Sequence, residues 1–140
     1  MGKINVARVI LGGLLAGLVI NISEFVLNTY VVAEESAAIM ERFNLPPIGG
    51  GQIGIFVALT FVLGIIIVFA YAAMRPRFGA GAKTAIIAGV MVWLLTLFAG
   101  IADMVMGIIP ASLLVLAAVW TLVETAVAAV AGAWLYQESA

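Results

Sequence analysis

Glu24, Asp103 and Glu124 are three of the seven carboxylates in the chain, and each lies inside a run of apolar residues long enough to cross a bilayer. A carboxylate at the bilayer centre costs roughly 2.5–3.5 kcal/mol on insertion scales, so each needs a chemical reason to be there. Three kinds of chemistry suit such acids: proton transfer, cation coordination and hydrogen bonding between helices. Asn21 and Asn28 flank Glu24 at spacings of three and four residues, which on a helix places both amides on the face of the acid. Thr121 lies one turn before Glu124 and Thr125 directly after it. Asp103 stands near the end of its run, within reach of water. The candidate ion, proton or polar-interface set is therefore Glu24, Asn21, Asn28, Asp103, Glu124, Thr121 and Thr125. For Glu24 and Glu124 an ion or proton role and a structural hydrogen bond fit the residues equally. Asp103 is expected to be structural or solvated.

What is missing narrows the chemistry further. The chain has no cysteine and no histidine, which excludes thiolate nucleophiles, Ser-His-Asp triads, the common zinc sites and histidine-ligated haem. Asp103 is the only aspartate, so a catalytic aspartate pair is excluded too. No lysine or arginine lies deeper than Arg8, at the edge of the first run, so an ion pair in mid-membrane is not expected. These absences point to a protein that is not an enzyme and carries no cofactor or metal.

The elements that position the acids follow from composition. Apolar residues make up 66% of the chain and charged residues 9%, which no water-facing domain of this size sustains. Four runs approach the ~20 residues a spanning helix needs. They cover 7–32, 52–74, 84–108 and 111–136, which predicts an all-α, integral membrane four-helix bundle forming a single transmembrane domain over 1–140. The first run exceeds the ~7–15 residues of a signal-peptide core and carries polar residues, so it is expected to be retained.

In three of the runs the acid shares its helical face with small residues. Gly13 and Gly17 line up with Asn21, Glu24 and Asn28 in the first. Ala85, Gly89, Thr96, Ala99 and Gly107 line up with Asp103 in the third, and Ala117, Ala128 and Gly132 with Glu124 in the fourth. Small residues let membrane helices approach closely, so Gly13, Gly17, Gly89, Ala128 and Gly132 are expected at helix-packing positions. The second run offers only Thr60 in mid-span and an isolated Gly64, and is expected either to have the largest lipid exposure or to pack as a passive wall. Trp134, Tyr136, Tyr30 and Tyr71 fall near the ends of runs, where aromatic rings anchor at the interface.

The connecting segments set the topology. Lys3, Arg8, Arg75, Arg77 and Lys83 belong to one side, against Arg42 alone among Glu34, Glu35 and Glu41 on the other. Five basic residues against one predict both termini and the 75–83 loop in the cytoplasm, with 33–51 and the Ile109-Pro110 turn outside. Residues 33–43 carry Ile39, Met40 and Phe43 on one side, the pattern of a short external interfacial helix. Pro46 and Pro47 end it, and Gly49-Gly50-Gly51 allow a sharp re-entry. Two motif matches carry nothing. The run from Gly79 to Thr84 lacks the glycine a phosphate loop has before its lysine, and Asn21-Ile22-Ser23 lies within a membrane run.

The strings RVILGGLLAGLVIN (8–21), YAAMRPRFGAGAKTA (71–85) and AGAWLYQE (131–138) resemble small four-helix bacterial membrane proteins to which no activity is attached. That resemblance implies a multi-pass protein of the bacterial inner (plasma) membrane. The chain is also similar in size, helix count and a glutamate in the first helix to small multidrug exporters. It departs from them in placing Glu24 late in its helix and in adding Asp103 and Glu124. On these grounds the expected function is a non-enzymatic membrane protein acting through helix packing, as a self-associating bundle or an accessory subunit. The alternative is a small cation- or proton-coupled transporter or channel subunit using the intramembrane carboxylates. Expected partners are membrane lipids and other membrane subunits or further copies of the chain, and no nucleic acid.

Overall fold

The computed structural model describes residues 3–138 and contains five α-helices, four of them long and apolar enough to span a membrane. Helix α1 covers Val6–Val26 and runs on as a single π-helical turn over Leu27–Val31. The short α2 covers Ala33–Arg42, and α3, α4 and α5 cover Gly50–Phe78, Ala82–Val105 and Ala111–Leu135. The protein is an integral membrane four-helix bundle of α1, α3, α4 and α5, with α2 as a short amphipathic connector.

Local chemistry explains most of the boundaries. Asn5 caps α1 by accepting the Arg8 backbone N–H at 3.2 Å. At α3 the Gln52 side chain accepts the Gly49 N–H at 2.8 Å. Gly50 and Gly51 thus form the first helical turn, where the sequence pattern places them in a re-entry loop. Helix α4 stops three residues short of its expected end because Gly107 takes a left-handed φ of 74°. Its neighbour Ile108 returns an N–H to the Asp103 carbonyl at 2.8 Å, a glycine-based C-terminal cap. Gly107 therefore ends the helix and does not extend the Asp103 stripe. Arg42, on α2, donates to the carbonyls of Gly107 and Ile108, fastening the connector to the α4–α5 turn.

The core occupies only half the bundle. Buried residues run from Val9 to Ile20 on α1, from Gly64 to Ala72 on α3, from Thr84 to Val92 on α4 and from Glu124 to Gly132 on α5. All of these lie toward the end that carries Arg75 and Tyr136. At the α2 end only Leu27 and Val32 are buried, and every residue of α3 from Gly50 to Leu59 is exposed.

Three glycine crossings hold the closed half. Gly64 of α3 lies against the Gly13 carbonyl and the Gly17 nitrogen of α1, so no side chain fits between the two backbones. Gly12 of α1 crosses Gly132 of α5 in the same manner. A Cβ on Gly89 of α4 would meet the Thr125 carbonyl oxygen at 2.6 Å and the Ala129 Cβ at 3.1 Å. Van der Waals packing of this kind drives association where lipid removes the hydrophobic incentive. Helix α3 does bury the smallest share of its span, 17% against 33% for α1. It is nonetheless no passive wall, because Gly64 lets its backbone meet that of α1 at Gly13 and Gly17.

Tyr71 and Tyr136 also differ from the interfacial anchors expected of them. They are 4% and 5% exposed and meet edge to face at 5.9 Å. Arg75 lies 5.3 Å from the Tyr136 ring and 5.8 Å from that of Tyr71, with Glu138 3.6 Å away. Trp134 and Tyr30, by contrast, stand 81% and 74% exposed, as interfacial rings do.

Candidate functional site

Glu124 of α5 and, across the α1–α5 contact, Ser23 and Glu24 of α1 stand where the closed half of the bundle gives way to the open half. Glu124 is the first buried residue of α5 counted from its α2-facing end, and is 6% exposed. Its Oε2 is fully enclosed and has no hydrogen-bond partner among the described residues. The Trp120 indole N–H, one turn earlier on α5, donates to the Ser23 hydroxyl at 2.9 Å and so fixes this stretch of α1 against α5.

Glu24 is half-buried and faces a lateral cleft of about 860 Å³ between α1 and α3. Asn21, Asn28, Thr29 and Thr60 supply the remaining polar lining, and Phe25, Ile53, Phe56 and Leu63 much of the apolar part. The π-helical turn lies at this point, with the Val32 N–H reaching the Leu27 carbonyl at 2.9 Å. One extra residue per turn shifts the side chains beyond it, and such turns gather at functional sites. Asn28 Nδ2 donates to Glu24 Oε2 at 2.7 Å and to the Glu24 carbonyl at 2.9 Å. Asn21 Nδ2 donates to the Gly17 carbonyl at 2.9 Å and the Val57 carbonyl at 3.5 Å, while Thr60 Oγ1 donates to Asn21 Oδ1 at 2.7 Å. Thr60 thus joins the site from α3.

The other candidates separate from this pair. Asp103 is half-buried near the end of α4, which packs on α5 and α3, and it lines no part of the cleft. Thr121 and Thr125 donate back to the carbonyls of Ala117 and Thr121 on their own helix, each at 2.8 Å, so their protons serve α5 itself. Among the described residues no three acidic side chains gather to hold a metal ion. Gly13, Gly17, Gly89, Ala128 and Gly132 all pack within the chain.

Sequence reasoning missed Gly12, Ser23, Thr60 and Trp120 as working parts. Gly12 and Ser23 each sit one residue from a stripe member, and an interface has width. The tryptophan contact had no sequence signal, because its partner lies 97 residues away. Comparison with family models, curated proteins and solved structures returns no match.

Proposed function

We propose that the protein is a small cation- or proton-coupled carrier whose exchanging groups are Glu24 and Glu124. The observation that carries this reading is an acid that opens on a cleft, Glu24, together with a second, enclosed acid that has an unpaired oxygen, Glu124, on the helix that Trp120 ties to the neighbouring Ser23. A structural acid is expected to have both oxygens satisfied, since an unpaired buried polar atom costs free energy. Small-residue faces on their own favour an assembly element, but those faces are consumed by α1–α3, α1–α5 and α4–α5 packing within one chain. In this proposal the protein lies in a bacterial plasma membrane with its basic end in the cytoplasm, so the cleft opens in the outer half of the bilayer.

Reconstitution tests the reading. Proteoliposomes loaded with a pH-sensitive dye and challenged with sodium, potassium or alkylammonium gradients should show a protein-dependent pH change that Glu24→Gln removes. Persistence of that change in the variant would exclude Glu24 as the coupling group.

A second reading has one observation in its favour. The open half of α4 presents Leu94, Leu95, Phe98 and Val105 beside half-buried Asp103. An acid at the edge of an apolar helix face suits an accessory subunit covered there by a neighbour. A cysteine at Ala99 would then cross-link to another protein or to a second copy in native membranes.

A further inference from the structure

The hydrogen-bond inventory of the cleft restricts what can fill it. Both N–H groups of Asn21 are committed to backbone carbonyls, and the Asn28 amide nitrogen is committed twice to Glu24. The single proton of Thr60 has three acceptors within reach, Asn21 Oδ1 and the carbonyls of Phe56 and Val57, and is spent on one of them. What remains, among the described residues, is Glu24 Oε1 and Asn28 Oδ1, both acceptors, and the hydroxyl of Thr29, which can act either way. No lysine or arginine lines the cleft.

The polar end therefore offers mainly acceptors, with negative charge whenever Glu24 is ionised, and asks its occupant for donors. The rest of the cleft is apolar, and Phe25, Ile53, Phe56 and Leu59 are each more than half exposed on the side that faces lipid. Its volume of about 860 Å³ lies within the range of small-molecule sites, roughly 300–1,000 Å³.

We infer that this cleft binds an amphiphile with a primary ammonium head, which enters sideways from the bilayer, gives its N–H groups to Glu24 and Asn28, and lays its chain along Phe25 and Phe56. Each competing head group fails on a different count. A sulfate or phosphate head finds a single hydroxyl donor, Thr29, against the acceptors and like charge of Glu24 and Asn28. A trimethylammonium head supplies charge without a donor, and an alcohol supplies one donor without charge. Sites built to hydrogen-bond a substrate reject analogues that leave their buried polar groups unpaired. The inference names the substrate class for the carrier proposed above, and rests on that reading only for the transport steps after binding.

The test is equilibrium binding, in which no transport step takes part. Octylammonium, octyltrimethylammonium, octanol and octyl sulfate are titrated calorimetrically into the protein in nanodiscs, with protein-free discs subtracted. Octylammonium is expected to saturate one site at least tenfold more tightly than octyltrimethylammonium, and octyl sulfate not to bind. Glu24→Gln should bring octylammonium down to the level of octanol, while Gly54→Ala, a change into open space outside the cleft lining, keeps the order of the four heads. Equal affinity for the trimethyl head, preference for sulfate, or no saturable binding by any head would overturn the inference. Amine binding without coupled flux would refute the carrier reading and leave the ligand class standing. Flux without amine selectivity would do the reverse.

Discussion

Asn28 Nδ2 sits 2.7 Å from Glu24 Oε2 and 2.9 Å from the carbonyl of the same residue, so one amide both orients the acid and closes its turn of helix. Asn28 is exposed, and its removal opens no hole in the core. Asn28→Ala should therefore leave thermal unfolding unchanged while weakening cation binding at the cleft about tenfold, the loss of one charge-assisted hydrogen bond of roughly 1.5 kcal/mol. Calorimetric binding and a melting curve on the same sample would check both halves.

The Gly64 crossing yields a stability prediction. Gly64→Val drives a side chain into the α1 backbone at Gly13 and Gly17, and overpacking of this sort costs on the order of 1–3 kcal/mol. The melting temperature in detergent should fall clearly. Gly54→Ala, a substitution into open space on the same helix, should leave it in place or raise it.

The four spans and the stripes of α1 and α5 were legible in the sequence because a 3.6-residue period writes small and polar residues onto one face. The α3 contribution was not. A single glycine among Ile, Val and Phe leaves no period, and its meaning depends on which helix lies opposite. The placing of Glu24 and Glu124 at one level of the α1–α5 contact was hidden for a related reason. Depth along each helix can be counted, but the choice of neighbours comes from the Gly12–Gly132 crossing, which brings α5 and not α4 to α1. Asp103 looks equivalent to the other two acids until that choice is known.

Trp120 and Ser23 supply a test of the α1–α5 contact near the acids. Interhelical hydrogen bonds inside membranes average about 0.6 kcal/mol, so Trp120→Phe and Ser23→Ala should each destabilise slightly. In a double-mutant cycle the pair should cost less than the sum of the single changes. Full additivity in unfolding measurements would mean the 2.9 Å contact contributes nothing.

Orientation can be read by labelling. Cysteines placed at Ser36 on α2 and at Ala80 between α3 and α4 sit at opposite ends of the bundle. In intact cells an impermeant maleimide should reach position 36 and spare position 80. The opposite pattern would turn the cleft toward the cytoplasm.

The measurement that bears most directly on the account is coupled flux in proteoliposomes for Glu24→Gln, Glu124→Gln and the double variant, each first shown to be folded by its melting curve. If the two acids exchange as one unit, either single change abolishes the protein-dependent pH change as fully as both together. Parent-like flux in Glu124→Gln, or losses that multiply in the double variant, would contradict it.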